Sequence, residues 1–339
     1  MSTLDIFAVQ PYMTLDDYAS AETFYHKMDH LMRKISSRRT NSIPALAVFP
    51  EDLATFLVLA DNLALIDGVS TMDEAFKRIG QALWPALLKH MVLYHTISLK
   101  RAFFLLNAAK VWRIWYTTMH TLARQYQLYI VAGSALLPDN QDGYHAASFR
   151  PLSRHIFNLS ITLNPAGEVI HTTRKVNLVP TQEDTLDLTP GPLPAALSTF
   201  RIDNILCATA ICYDGFRVPH TSHEPHFTTL LPLLDQRNVR IIAQPSANPW
   251  WWTGSWPFNP AMTRHEQWIG EGAFSLLEQC HNIDLIVNPQ LLFQALDLHF
   301  DGPSAVYGRL GGHVQILAQS SGFTPTLSSE DIVSVRWQD

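Results

Sequence analysis

Cys212 stands where a run of small and apolar residues, Ile205 to Ile211, gives way to Tyr213, Asp214 and Gly215. A buried strand ending on a thiol offers three chemistries: packing, metal ligation or nucleophilic attack. A free cysteine is most often a small buried hydrophobe, so the thiol alone decides nothing. A nucleophilic thiol, with a pKa near ~8.5, needs a group that takes its proton or stabilises its anion. Two further segments carry such groups. "ALAVFPED" places Glu51 after an apolar run and a proline, and "TTRKVNLVPTQED" carries Lys175 and Glu183. A carboxylate can accept the thiol proton and return it to a leaving amine. An ammonium can stabilise a thiolate and the oxyanion of a tetrahedral intermediate. Glutamate, lysine and cysteine thus form a chemically complete set that needs no metal and no cofactor. Each also has a plainer reading. Glu51 can open a helix in "PEDLAT", favoured there by the helix dipole, and Lys175 can be a surface charge.

Such a set requires elements that hold it in place. Strand-like runs recur: "TLDIFAVQP", "PALAVFPED", "LYIVAGSAL", "HIFNLSITL", "EVIHTTRKV", "NILCATAIC", "VRIIAQPSA", "IDLIVNPQ" and "GHVQILAQS". They are rich in Val, Ile and Leu and end in Pro, Gly, Asn or Asp. "NPAG", Asn164 to Gly167, reads as a hairpin turn. Helical patterns cover 16–37, roughly 72–125, 222–237 and 262–280. This mixed order predicts an α/β sandwich with parallel and antiparallel pairing. Strand ends on such scaffolds are common places for sites. No Gly-rich phosphate loop follows a strand, no repeat is visible, and no linker composition divides the chain. A single domain over 1–339 is expected.

Composition excludes several classes. Of 339 residues, 47% are hydrophobic and 16% charged, which describes a globular chain with a large core. The net charge is −6 and no Lys/Arg cluster offers a nucleic-acid surface. Three cysteines without a signal peptide predict a reduced, cytoplasmic protein without disulfides. The stretch from Ala82 to Trp115 is long and apolar, but Lys89, His90, Lys100, Arg101, Lys110 and Arg113 interrupt it. No window reaches the roughly 18 apolar residues of a spanning helix. Cys207 and Cys212 lie on opposite faces if both are on one strand, so Cys207 is expected to pack, as is Cys280. "HTSHEPH" spaces His220, His223 and His226 by three, without the partners of a compact zinc motif. A solvated loop and helix start is the preferred reading there.

Taken together, "FPED", "RKVNLVPTQE" and "AICYDGF" resemble the three signature regions of the nitrilase superfamily, the carbon–nitrogen hydrolases, in that family's order. "IVAGSAL", "NLSITLNPAGEVIHTTRK", "VRIIAQPSANPWW" and "GPSAVYGRLGGHVQILAQ" extend the resemblance over nearly the whole chain. It implies a nitrilase-like four-layer α-β-β-α sandwich and a Glu-Lys-Cys triad. By motif position Glu51 is the general base and acid, Lys175 the cation over the oxyanion and Cys212 the nucleophile. The backbone N–H of Tyr213 completes the oxyanion hole, and Glu183 positions Lys175 or the substrate. "NPWWWTGSW" falls in a segment that lies near the pocket in this family, which makes Trp250 and Trp251 candidate substrate-binding residues; core or dimer contact is the equal alternative. The resemblance also implies a homodimer or larger homo-oligomer.

The chain departs from the pattern twice. About eighty residues separate Glu51 from the "VAGS" strand, enough for a helical insertion at about 63–126, and "RVPH" puts His220 where an acidic residue is expected. The expected activity is hydrolysis of an amide, carbamoyl compound or nitrile through a cysteine thioester. Two rivals stand beside it. "RKVNLVPTQE" also resembles the corresponding segment of apolipoprotein N-acyltransferases, which pass the acyl group to an amine but carry transmembrane helices. A catalytically silent binding or scaffold member is the other.

Overall fold

Alternation along the strands decides the layering. A computed structural model describes residues 2–338. Twelve strands carry the architecture: β1 (Thr3–Gln10), β2 (Ala45–Phe49), β3 (Tyr129–Leu137), β4 (Phe157–Leu163), β5 (Val169–Arg174), β6 (Phe200–Ile202), β7 (Ile205–Thr209), β8 (Ile241–Ala243), β9 (Leu285–Asn288), β10 (Ala305–Leu310), β11 (His313–Gln319) and β12 (Asp331–Gln338). In β1, Leu4, Ile6 and Ala8 face one side while Phe7 and Val9 face the other, and all are buried. In β2, Leu46 and Val48 oppose Ala45, Ala47 and Phe49 in the same way. Strands buried on both faces read as continuous apolar runs, because no face is left for water.

The strands form two six-stranded sheets, ordered β12-β1-β2-β3-β4-β5 and β11-β10-β9-β8-β7-β6. The central pairs β1–β2, β2–β3, β7–β8 and β8–β9 are parallel, and the outer ones antiparallel. Leu4, Ile6, Ala8, Leu46 and Val48 of one sheet meet Cys207, Ile241, Ala243 and Val287 of the other in a dry interlayer. Helices cover the outer faces. α1 (Ala21–Arg38) is opened by Ser20, whose hydroxyl accepts from Thr23 N–H while the Thr23 hydroxyl accepts from Ser20 N–H. α2 (Met72–Ala82), α3 (Trp84–Leu93) and α4 (Leu99–Tyr126) follow, then α5 (Leu231–Asp235), α6 (Arg264–Glu271) and α7 (Ala273–Leu277). α1 and α4 bury Phe24, Met28, Leu31, Trp115 and Met119 over Phe7, Val9, Ala47 and Phe49. α5 and α7 cover Ala208, Ile242 and Ile286 on the far side. The result is a four-layer α-β-β-α sandwich.

Within 63–126, α4 is one of the layer helices: its Trp115 Nε1 donates to Ala132 O of β3 at 3.0 Å. α2 and α3 pack on α4, with Phe76 edge-on to Phe103 at 5.0 Å between centroids. Three of the basic residues that interrupt the apolar stretch bind carbonyls. Lys100 donates to Thr185 O, Arg101 to Asp187 O, and Lys110 to Val58 O and Ala60 O. Among the described residues no helix is long and apolar enough to cross a membrane. Of the helical pattern over 222–237 only α5 forms; the rest is irregular chain that includes Pro225.

Candidate active site

Four segments converge at the carboxyl ends of the parallel strands. Glu51 follows β2 after Pro50, Lys175 follows β5, and Cys212 and Ala247 follow β7 and β8. From its sequence Cys212 ends the strand; in the fold the strand stops at Thr209 and Cys212 opens a tight 3-10 turn, Cys212–Gly215. The thiol residue takes φ +46°, the left-handed region that a non-glycine residue occupies at a cost. Neighbours enforce it: Cys212 N–H donates to Pro245 O at 2.8 Å, and Gln244 Nε2 donates to Cys212 O at 2.9 Å. A Cβ at Gly215 would lie 2.1 Å from Gln244 Nε2 and would displace the amide that holds Cys212 O. Among the described residues the N–H groups flanking Tyr213 are used, by Pro245 O and Ile211 O, while the Tyr213 N–H reaches no protein acceptor.

Glu51 sits in a turn fastened to β3. Ser134 Oγ accepts from Asp52 N–H at 2.9 Å, and Ser134 O accepts from Ala54 N–H at 3.0 Å. Gly133 has φ +72°, and a Cβ there would stand 2.2 Å from Pro50 O, so only glycine lets the strand approach. The Lys175 segment is fastened to the cysteine turn by Asp214, whose carboxylate accepts from Val176 and Asn177 N–H. Glu183 folds back, accepting from Val179 N–H at 2.9 Å.

These turns bring the side chains together. Lys175 Nζ lies 2.7 Å from Glu51 Oε1 and 2.6 Å from Glu183 Oε2. Asn158 Nδ2 bridges the two carboxylates, at 2.8 Å from Glu51 and 3.0 Å from Glu183. Ala247 N–H donates to Glu51 Oε2 at 3.1 Å. The Cys212 thiol lies beside the Glu51 carboxylate, its Sγ 3.8 Å from Ala247 O. Glu51, Lys175, Asn158 and Cys212 are 3%, 1%, 1% and 2% exposed, so their charges act with little solvent screening.

Burial sets the proton affinities. It pushes Glu51 up, with the Lys175 ammonium opposing and the Glu183 carboxylate assisting. Burial works against the Lys175 ammonium, but Glu183 and Glu51 outweigh it and hold its pKa well above the usual lysine value. Burial and the neighbouring Glu51 charge push the Cys212 thiol up strongly. The resting thiol therefore keeps its proton, and the group placed to receive it is a carboxyl whose affinity is also raised.

A cavity of about 370 Å³ opens over this cluster, with Glu51, Lys175, Glu183 and Ala247 on its polar wall and Phe56, Leu136 and Phe300 among the apolar ones. Cys212 does not line the cavity itself; its Sγ lies 3.8 Å from the carbonyl of Ala247, which does. Trp250 and Trp251 are not on this wall. Trp250 packs on Trp256, His220 and the fully buried guanidinium of Arg264. Trp251 is 63% exposed and lies against His299. His220 is buried rather than solvated, its ring centroid 3.9 Å from that of Tyr213, and burial drives its pKa down to about 2. Cys207 and Cys280 are buried in the interlayer and under α7. Asn158 carries only a faint signal in the sequence, an amide inside an apolar strand run.

No protein-family model matches the sequence, and no curated protein resembles it in sequence. Solved structures do resemble it. An amidase from Nesterenkonia sp. AN1, a double mutant in complex with acrylamide, superposes with a TM-score of 0.56 at 12% identity, over 100% of this chain and 91% of that one. Saccharomyces cerevisiae Nit3, a member of branch 10 of the nitrilase superfamily, gives 0.54 at 15% identity, over 99% and 90%. The chain has the nitrilase fold. A structure of a single mutant of the Nesterenkonia amidase, with TM-score 0.55 and 12% identity over 99% of this chain and 90% of that one, shows covalent addition of the acetamide moiety of fluoroacetamide at its active-site cysteine. In the nitrilase fold of the present chain, Cys212 stands at the carboxyl end of a central parallel strand, facing Glu51 and Lys175 across the join between the sheets.

Proposed function

We propose that this chain is a carbon–nitrogen hydrolase of the amidase type, acting through a thioester on Cys212. The observation that carries the reading is the shared Glu51 carboxylate, which meets the Lys175 ammonium at 2.7 Å and faces the Cys212 thiol. The thiol sulfur attacks the amide carbonyl carbon as its proton passes to Glu51. The carbonyl oxygen, now an oxyanion, is stabilised by Lys175 Nζ and the free Tyr213 N–H. Collapse breaks the C–N bond, Glu51 gives its proton to the departing nitrogen, and the amine or ammonia leaves. A thioester remains. Water then attacks it, losing a proton to Glu51, and that proton returns to the sulfur as the acid departs. Carbamoyl compounds and nitriles fit the same site. A small-molecule substrate suits a cavity of this size.

The test joins turnover to labelling. Wild type should release ammonia from simple amides, and fluoroacetamide should add one acetamide unit to the intact mass. Cys212→Ala should show neither. Ammonia release by Cys212→Ala at the wild-type rate would remove the reading.

A further inference from the structure

A second cavity of about 300 Å³ adjoins the one over Glu51, and Asp73, Phe76, Lys100, Phe104 and Leu186 line both. It runs between α2, α3 and α4. Its walls are chiefly Phe76, Trp84, Leu87, Leu99, Phe103 and Phe104. The one cation at the junction has its charge engaged elsewhere: Lys100 Nζ donates to Thr185 O at 2.8 Å, leaving its methylene stem to the wall. Trp84 and Leu99 at the far rim are 47% and 51% exposed, so this cavity opens to the surface. A polar site that continues into an apolar, open-ended channel suits a molecule with a reactive polar head and a long hydrocarbon tail.

We propose that the acyl group of the substrate is a long unbranched alkyl chain, running from the carbonyl over Cys212 past Phe76 and Phe104 into this second cavity. The proposal rests on the amidase reading for its reactive head. The tail contributes affinity by leaving water, at most about fourfold per methylene. Because the channel is open at Trp84 and Leu99, the gain should level off once the channel is filled, without the sharp cut-off of a closed pocket.

The experiment measures binding separately from turnover. Calorimetry with Cys212→Ala should show affinity rising two- to fourfold per methylene from butanamide upward, then reaching a plateau. Gly80 lines only the second cavity, and a Cβ there meets Leu87 Cδ1 at an ordinary 3.5 Å. Gly80→Phe should therefore place a ring in the channel and lower the dodecanamide-to-butanamide affinity ratio at least tenfold. Should that variant fold poorly, ω-bromododecanamide provides a second readout: it should quench fluorescence that Trp84→Phe removes. Affinity independent of chain length, or no quenching traceable to Trp84, overturns the proposal. So does a dimer that covers Trp84 and Leu99 and persists in excess dodecanamide. Chain-dependent binding with no hydrolysis of any amide by wild type would instead overturn the amidase reading and leave the apolar channel standing.

Discussion

The carboxylate of Asp214 accepts the backbone N–H of Asn177 at 2.8 Å, joining the turn that begins at Cys212 to the segment that begins at Lys175. It also accepts from Val176 N–H at 3.2 Å. Two residues past the thiol thus grip the chain two residues past the ammonium. The spacing of the two reactive groups is set by main chain rather than by the reach of a flexible side chain. Asp214→Ala would strand two buried donors, at about 1–3 kcal/mol each. It should lower the thermal midpoint and turnover together. Asp214→Asn keeps an acceptor oxygen and should retain most of both. Normal activity in Asp214→Ala would show that the clamp does not position the site.

Asn158 Nδ2 donates to both carboxylates and has no contact with the Cys212 thiol among the described residues, so it acts as a positioning residue for Glu51. Asn158→Leu removes the bridge while filling the space. Glu51 and Glu183 then keep Lys175 between them but lose the second donor they share, and the proton affinity of Glu51 should rise. The expected result is a ten- to hundredfold loss in kcat and an upward shift of the acidic limb of the pH–rate profile. A loss of stability with an unmoved profile would assign Asn158 to packing alone.

Lys175 Nζ sits between two buried carboxylates, Glu51 and Glu183. Lys175→Met removes the charge that pairs two largely buried carboxylates, a change that typically costs about 3–5 kcal/mol. It also removes an oxyanion partner, worth roughly 10²–10³ in kcat. The stability loss should shrink as pH falls and the carboxylates take up protons. Lys175→Arg should not restore the rate, since a buried planar guanidinium cannot take the place of a compact ammonium. Turnover near wild type in Lys175→Met would place the lysine outside the chemistry.

Asp52 gives a pH dependence whose sign follows from its surroundings. Burial, and then the Glu51 charge, raise its carboxyl to about 7. In the unfolded chain it titrates near ~4. Between those values the folded state holds the extra proton, so wild-type stability falls as pH rises through that window and is flat above it. Asp52→Asn carries no such proton. Relative to wild type it should gain at most about 4 kcal/mol between pH 4 and pH 8, measured by denaturant unfolding. A constant difference across pH would mean that Asp52 titrates alike in both states.

Much of this architecture is written in local pattern. β1, β2, β7 and β9 are apolar on both faces, so continuous apolar runs mark them. β12 was harder to see, because Asp331, Arg336 and Gln338 break up its apolar residues, although it pairs with β1 along its whole length. Glu51 and Cys212 could be picked out because each ends an apolar run, Lys175 and Glu183 because "RKVNLVPTQE" resembles a family signature. Their geometry could not. The φ of Cys212 depends on Gln244 and Pro245, more than thirty residues away. Trp250 and Trp251 show the same limit. Position after a strand places a residue near the site, but the direction of its side chain comes from His299, Trp256 and Arg264.

The last prediction separates the two half-reactions. If Glu51 takes a proton in each, then Glu51→Gln should slow hydrolysis of the thioester as well as its formation. Formation can be relieved by choosing a substrate whose leaving group needs no proton, such as a 4-nitrophenyl ester. Sulfur attack then proceeds slowly from the small thiolate fraction beside Lys175. Deacylation has no comparable relief. Water must lose a proton, and a glutamine amide cannot accept it. The acyl-enzyme should accumulate in Glu51→Gln and not in wild type. Intact-protein mass spectrometry should read the acyl mass, and peptide mapping should place it within Ile211–Phe216. Fluoroacetamide should still label the variant, since alkylation forms a bond that water does not break. A variant that turns over the ester as fast as wild type, with no adduct at any time, would remove Glu51 from both steps.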